Sequence, residues 1–323
     1  MISLTLRTLA FASLAAVLEA QSQSTINAPV AGYVFDKTSQ GLRPILGLPG
    51  ASLLGAPLVF GYKVTSASVS PRLDTAFAVG SDGASHFFQI QKGSLNEVTI
   101  NGLADAGFSH IVAFSPSGKS MALYSGHTVQ VLTGLSDTPK VAGSVDLTSI
   151  GRPETIALSD DAAALLIVAE GTLRLFGSYA DMGSLMTTGR RPAIAFAEGG
   201  HDGAIADINA GVVLFHDLMG SGASQVIVPP DQSGTPTAAV AFTNDGKVIY
   251  LASSSNQTLT RVDLTAGSSN RIPCSCTPTE LARMGNTFRL TELTKDPLWL
   301  LDQPESIDAR VVFVPALVQS AGQ

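Results

Sequence analysis

A hairpin-like motif recurs along the chain. In its clearest copy, VAFSPSGKSMALY (112–124), an apolar run is followed by a polar turn and then by a second apolar run. Pro, Gly, Asn and Asp in such turns favour a tight connection between two strands. A period near 40–45 residues with several short strands in each unit predicts the blades of a β-propeller. The turns of the six copies lie 38 to 46 residues apart and begin at Ser70, Ser115, Ser159, Ala197, Thr243 and Met284.

Each repeat has room for four strands. The hairpin of the clearest copy is followed by two weaker strand patterns, HTVQVLTG (127–134) and PKVAGSVDL (139–147). The sequence therefore predicts an all-β fold of four-stranded antiparallel blades, in which neighbouring blades bury each other's apolar faces. An array of β-sandwiches and an open β-solenoid are the alternatives. A sandwich domain needs about 100 residues, and solenoid coils are usually shorter than this period.

The two ends of the repeat array decide how many blades to expect. GYVFDKTSQGLRPI (32–45) parallels LTRVDLTAGSSNRI (259–272), and we interpret it as an outer hairpin. The segment 297–317 has the same shape near the other end of the array. Seven blades are favoured, with the N-terminal segment completing or forming the odd blade beside the last one. Six larger blades are the alternative. In either case residues 21–323 are predicted to form one propeller domain.

The turn sequences also carry a family resemblance. FSPSGK (114–119) and FTNDGK (242–247) resemble the FSPDGK signature of the YVTN, TolB-type and lactonase-like propellers. The chain departs from WD40 proteins, since it contains no Trp-Asp dipeptide and its only tryptophan is Trp299. The resemblance implies a propeller without implying one activity. Over nearly the whole chain the sequence is also similar to uncharacterised exported proteins of acidobacterial type, through GYVFD (32–36), LRPILGLPGAS (42–52), CSCTPTEL (274–281), FRLTE (288–292), PLWLLD (297–302) and RVVFVPA (310–316).

The first 20 residues have the pattern of a secretory signal peptide. Arg7 supplies a positive charge, residues 8–18 form a short apolar run, and Ala20 offers a small residue before a polar stretch. A retained membrane anchor is the alternative, but the run is shorter than the roughly 20 residues that span a bilayer. We therefore expect an exported protein, periplasmic or extracellular, with no membrane span after signal removal.

The only two cysteines, Cys274 and Cys276, are separated by one residue. Export would permit a local disulfide between them. Two unreactive thiols, or a metal or redox role, are the other interpretations. No histidine lies near them in the sequence, which weakens the metal interpretation.

Composition excludes some classes of function. The net charge is −7 and no basic run occurs, whereas nucleic-acid binding needs clustered Lys and Arg. No dinucleotide, phosphate-loop, nucleophile-elbow or calcium-loop pattern is present. The five histidines fall in different repeats. The sequence therefore predicts no catalytic residue, no metal and no cofactor.

We expect a non-catalytic scaffold, monomeric, that binds a protein or small ligand whose identity the sequence does not give. A lactonase-like hydrolase or lyase with a site at the mouth of the central channel is the alternative. An accessory role in the cell envelope is a third hypothesis. Four residues precede inner strands in different repeats and are predicted to approach one rim as binding candidates: His110, Arg152, Arg190 and Glu280.

Overall fold

A computed structural model describes residues 28–230, 237–294 and 296–315. These residues form seven antiparallel sheets of four strands each. The predicted β-propeller is therefore confirmed, with seven blades and not six. The proposed signal peptide, residues 1–20, lies outside the described residues.

The strands follow one another blade by blade along the chain. Blade 1 contains β1 (Val30–Asp36), β2 (Gly41–Leu48), β3 (Ala51–Leu54) and β4 (Leu58–Val59). Blades 2 and 3 contain β5 (Val64–Val69), β6 (Thr75–Gly80), β7 (Ser85–Gln91), β8 (Ser94–Glu97), β9 (Ile111–Phe114), β10 (Ser120–Ser125), β11 (Thr128–Thr133) and β12 (Lys140–Asp146). Blades 4 and 5 contain β13 (Pro153–Leu158), β14 (Ala164–Ala169), β15 (Thr172–Gly177), β16 (Ala180–Thr187), β17 (Ala193–Phe196), β18 (Gly203–Asp207), β19 (Gly211–His216) and β20 (Ala223–Val228). Blades 6 and 7 contain β21 (Ala239–Phe242), β22 (Val248–Ser253), β23 (Thr258–Asp263), β24 (Ser268–Pro273), β25 (Ala282–Met284), β26 (Thr287–Arg289), β27 (Leu298–Asp302) and β28 (Arg310–Val314).

In blades 2 to 7 the repeated motif forms the first two strands of each blade, as predicted. Its polar turns lie together on one face of the ring, which we call the turn rim. The opposite face, where the first strands of these blades begin, is the start rim. The turn is held by its own side chains: Ser115 is buried, and its Oγ accepts a hydrogen bond of 3.2 Å from the Ser120 amide.

The core lies between neighbouring blades. Every residue of β14 is buried, because the second strand of a blade has a blade on each face. Leu166 of this strand packs in one cluster with Phe196 and Ile205 of blade 5. Burial of apolar surface between sheets is what holds the ring together, at about 25 cal/mol for each Å² removed from water.

Blade 1 departs from this scheme. β3 and β4 are two short strands that pair with the same partner, β2, so the chain makes three passes across the blade instead of four. Tyr33 and Phe35 of β1 line the axis of the ring. The predicted outer hairpin at 32–45 is therefore wrong: it is the inner hairpin of a blade that the N-terminal segment forms alone. A strand-turn-strand pattern specifies a hairpin but not its distance from the axis.

β1 also runs opposite to the other six innermost strands. Gly32, near its beginning, lies against the side chain of Met284 at the turn end of β25. Lys37, just after its end, forms a 2.7 Å ion pair with Glu292, in the loop at the opposite end of blade 7. Three passes explain this direction. The chain must leave every blade at the start rim to begin the next, and after an odd number of passes it can do so only if it began at the turn rim.

The turns form a chain of contacts around the turn rim. Ser70 donates a 3.3 Å hydrogen bond to the Gly118 carbonyl, and the Asp160 carboxylate accepts hydrogen bonds from the amides of Ser117 and Gly199 at 2.7 and 2.8 Å. Between blades 7 and 2, the amide of Gly285 donates a 2.8 Å hydrogen bond directly to the Pro71 carbonyl. The turns on either side of blade 1 therefore bond to each other past it.

Candidate functional site

The seven innermost strands enclose a cavity of about 370 Å³ on the axis of the ring. Most of its lining side chains are apolar because these strands carry the apolar runs of the repeat, but polar groups form about half of the exposed wall. Residues from all seven blades contribute, among them Tyr33, Val69, Val112, Ile156, Ile194, Val240 and Leu281. Concave apolar sites with a few polar groups are typical of ligand binding.

One buried arginine enters this cavity from blade 7. The side chain of Arg283 is only 10% exposed, and its Nη1 donates a 2.9 Å hydrogen bond to Glu198 of blade 5. Its Nη2 donates to the carbonyl of Phe242 in blade 6, and the guanidinium lies 5.5 Å from the ring centre of Phe288. Burial lowers the pKa of Arg283 from its ordinary value, while the neighbouring carboxylates, chiefly Glu198, oppose that shift. Arg283 therefore ties blades 5, 6 and 7 together near the turn rim.

A second arginine–glutamate pair lines the cavity towards the start rim. Nε and Nη2 of Arg289 donate to the two carboxylate oxygens of Glu280 at 2.8 and 3.0 Å. This two-point geometry is the strong form of the interaction. Each end of the cavity thus carries one cation and one anion in direct contact.

The four predicted rim residues all lie on the start rim, as their places before inner strands required. Glu280 is the one that lines the axial cavity. His110 lies between blades 2 and 3, with Nε2 3.2 Å from Ser66 Oγ and Nδ1 3.0 Å from the Gly107 carbonyl oxygen. Arg152 and Arg190 are exposed in the segments that lead to β13 and β17. Within the described ranges no hydrogen bond or ion pair joins any two of these four side chains, and their role in binding stays a prediction.

Sequence reasoning missed Arg283, Arg289 and Glu198. A signal for Arg283 was present in the repeat. It occupies the position held by Phe114 and Phe242 in other copies, and this position is apolar in each of those copies. A charged residue at a repeat position that is otherwise apolar indicates a local role. Nothing comparable marks Glu198, which belongs to an ordinary polar turn and reaches Arg283 only because the ring brings the turn of blade 5 close to blade 7, past the inner strand of blade 6.

The two cysteines lie in the segment between β24 and the last blade. The structure joins Cys274 to Cys276 in a disulfide with Cα atoms 4.9 Å apart, and both residues are buried. Three histidines contact carboxylates on the surface instead of converging on the axis: His86 with Glu97, His201 with Asp161 and His216 with Asp202. In the part of the chain that the structure covers, no three His, Cys, Asp or Glu side chains are grouped as a metal site would require.

Comparisons with known proteins give structural likeness only. No protein-family model matches the sequence, and no curated protein matches it. A functionally unknown protein from Desulfotomaculum acetoxidans DSM 771 superposes with a TM-score of 0.62 at 14% identity, covering 88% of this chain and 94% of that one. Kluyveromyces lactis Hsv2 gives 0.54 at 10% identity, over 80% and 84%. A chain of the nidogen/laminin complex gives 0.51 at 13% identity, over 75% and 98%.

At such identities the likeness shows the fold alone. Together with the seven sheets it places this chain among the seven-bladed β-propellers, a class in which the fold commonly mediates binding. Among the residues covered by the structure, no helix is long and apolar enough to cross a membrane.

Proposed function

We propose that this chain is an exported, non-catalytic propeller that binds an amphipathic small molecule, or a protein side chain of that character, in its axial cavity. The observation that carries the proposal is the make-up of the cavity: mainly apolar side chains from seven blades, with one arginine–glutamate pair towards each rim. The apolar side chains provide contact area, and the pairs provide charged groups that orient a ligand.

The Arg283–Glu198 pair determines which polar head group would fit. The side chain of Glu198 is 35% exposed, whereas that of Arg283 is 10% exposed. Glu198 can therefore turn into solvent at little cost, while Arg283 cannot leave its place. A ligand carboxylate would replace Glu198 on the guanidinium. The buried cation would then stay paired, whereas leaving it buried without a partner would be costly.

Export and the finer family assignment belong to the same proposal. The charged, apolar and small-residue regions of residues 1–20 support cleavage after Ala20. The FSPSGK and FTNDGK turns support a place near the YVTN and TolB-type propellers. A chain with this fold occurs in the nidogen/laminin complex, which agrees with a binding role. We propose a monomer whose partner is a protein or small ligand, with no role for nucleic acid.

Calorimetric titration with octanoate, octanol and octylamine tests the cavity. We expect saturable binding with octanoate tightest. Glu198→Gln should strengthen octanoate binding about tenfold by releasing Arg283, an effect of about 1.4 kcal/mol. Arg283→Met should abolish the preference for octanoate over octanol. Glu292→Gln, which removes a glutamate paired with Lys37 away from the cavity, is the matched control and should change nothing. If none of the three probes binds saturably at millimolar concentration, the proposed site is wrong.

Export is tested separately. The full chain, expressed in a Gram-negative host, should be recovered from the periplasm. Its intact mass should correspond to a chain that begins at Gln21. Recovery of the uncleaved chain from the cytoplasm would contradict export while leaving the cavity proposal unaffected.

A further inference from the structure

A second concave site lies on the start rim, between blades 6 and 7. It is a groove with about 660 Å³ of space. One wall is formed by residues 275–279, in the segment that links the two blades, and the other by the loop that joins β26 to β27. None of the described residues that line this groove also lines the axial cavity. The two sites are therefore separate, and a ligand in the groove would be additional to the one proposed for the axis.

The two rarest residue types of the chain meet in this groove. Trp299, the only tryptophan, and Cys276, one of the only two cysteines, both line it. Trp299 is partly buried and packs against the apolar cluster that contains both cysteines. The centre of its ring lies 5.8 Å from that of Phe313. An indole held in this way presents a fixed apolar face and an N–H donor to a ligand.

The segment that links blades 6 and 7 presents a row of hydroxyl groups to the groove. Burial alternates along residues 274–279: the two cysteines and Pro278 are buried, whereas the three residues that carry hydroxyls are exposed. Within the described residues, the side chains of these three make no hydrogen bond to the protein. Uncharged hydroxyl and amide groups from both walls line the groove, and they belong to Gln257, Ser275, Thr277, Thr279, Thr291 and Thr294.

The walls are held in place by contacts that need no ligand. The disulfide joins the residues on either side of Ser275 and so fixes the beginning of the hydroxyl row. The Cys274 amide donates a 2.9 Å hydrogen bond to the Gln257 carbonyl in blade 6, and the Thr279 amide donates one of 2.9 Å to the Leu290 carbonyl in blade 7. A wall ordered in advance lowers the entropic cost of binding.

We propose that this groove binds a neutral saccharide. The hydroxyl groups of a sugar both donate and accept hydrogen bonds, as the hydroxyl and amide side chains of the walls do. The C–H groups on one face of a sugar ring form an apolar surface that can lie on the indole of Trp299. Most of the described side chains that line the groove are polar and uncharged. This composition suits a ligand with many hydroxyl groups better than an apolar ligand or an ion.

Tryptophan fluorescence of the native chain tests the proposal, because Trp299 is the only tryptophan and therefore reports on this groove alone. The chain is titrated with maltohexaose, cellohexaose and chitohexaose. We expect at least one of these neutral saccharides to shift the emission to saturation. Octanoate, which probes the axial cavity, and tetraethylammonium, which probes for cation binding, are titrated in parallel and should leave the emission unchanged.

Calorimetric titration of variants with the same saccharide identifies the groove as its site. Thr277→Val keeps the shape of an exposed side chain and removes its hydroxyl, so it should weaken binding about fivefold, the loss of one hydrogen bond. Thr265→Val, at an exposed threonine in the turn-rim loop between β23 and β24, is the matched control and should bind as the native chain does. Reduction of the disulfide with dithiothreitol should also weaken binding, because it loosens the wall at Ser275.

Three results would overturn the proposal. The first is that none of the three saccharides changes the emission or releases heat at millimolar concentration. The second is that Thr277→Val and Thr265→Val bind the saccharide equally well. The third is that tetraethylammonium or octanoate shifts the emission while no saccharide does, which would assign the groove to a cation or an apolar anion. None of these results decides whether octanoate binds in the axial cavity, which calorimetry on Arg283→Met tests independently.

Discussion

Blade 6 and blade 1 are built from similar apolar strands but differ in how many times the chain crosses them. Blade 6 makes four passes, and its outermost strand carries Arg271 towards solvent. Blade 1 makes three, its innermost strand is inverted, and its outer part exposes Leu53 and Val59. The comparison shows that each place in the ring needs a sheet that packs against both neighbouring blades. The number of strands in that sheet and the direction of its innermost strand can vary.

The largest expected effect on stability comes from buried leucines, one in the regular part of the ring and one in blade 1. Leu166→Ala, between blades 4 and 5, should lower the free energy of unfolding by about 3–5 kcal/mol through lost contacts and a new cavity. Leu42 in blade 1 is equally buried. Leu42→Ala should lower the free energy of unfolding by a similar amount if blade 1 is a full member of the ring. Urea unfolding measures both. A loss below about 1 kcal/mol for Leu42→Ala would make blade 1 an accessory to a six-bladed core.

The next effect concerns Asp36, at the end of the inverted strand. Its carboxylate accepts hydrogen bonds from Arg43 Nε at 2.6 Å, Ser39 Oγ at 2.7 Å and the Thr38 amide at 2.8 Å. Burial raises the pKa of Asp36, but these hydrogen bonds outweigh it and hold the pKa below its ordinary value. Asp36→Asn should cost about 2–3 kcal/mol at neutral pH.

The pH dependence gives the sign of this effect. Because the folded-state pKa of Asp36 is lowered, its contribution is complete above the unfolded-state pKa of about 4 and is lost as the pH falls through the folded-state value. Urea unfolding between pH 2 and pH 7 should therefore give a flatter curve for Asp36→Asn than for the native chain. Asp245→Asn, at a more exposed turn aspartate of blade 6 whose pKa is also lowered, should change the curve less. Equal slopes for Asp36→Asn and the native chain would contradict the assignment.

A smaller effect separates two matched turns. Gly118 and Gly246 hold the same place in SPSGK and TNDGK, with φ of 70° and 68°. Replacement by Ala costs about 1 kcal/mol at either from backbone strain. At Gly118 the added Cβ would also collide with Ser70 of blade 2, whereas at Gly246 the nearest atom is 4.0 Å away. Gly118→Ala should therefore be about 1–2 kcal/mol worse than Gly246→Ala in thermal or urea unfolding. Equal losses would mean that the Ser70 contact yields freely.

The smallest effect belongs to the turn of blade 1, which uses a residue other than glycine. Gln40 has φ of 51°. Gln40→Gly should relieve strain and raise the free energy of unfolding by no more than about 1 kcal/mol, since the extra freedom of glycine in the unfolded chain offsets part of the gain. Unfolding by urea measures this difference. A loss of stability would show that the Gln40 side chain contributes more than its backbone costs.

The sequence predicted what is repeated and missed what is unique. The turns at Ser115 and Thr243 disclosed the period, and hence blades 2 to 7, because each copy confirms the others. Blade 1 has no second copy, so its inverted direction could not be inferred from a hairpin pattern alone. The same holds for the candidate site. Glu280 could be predicted to approach one rim because it precedes an inner strand, whereas the contact of Glu198 with Arg283 depends on how blades 5, 6 and 7 pack beside one another.

The hydrogen bond from Gly285 to Pro71 has a mechanical consequence. It joins the turns of blades 7 and 2 directly, so beside blade 1 the mouth is bounded by the turns of its two neighbours. Blade 1 therefore contributes little to the width of this opening. Its strands could be exchanged, lengthened or loosened while the opening above the axial cavity keeps its diameter. Variation in this blade would change the outer surface of the molecule and leave the dimensions of the mouth as they are.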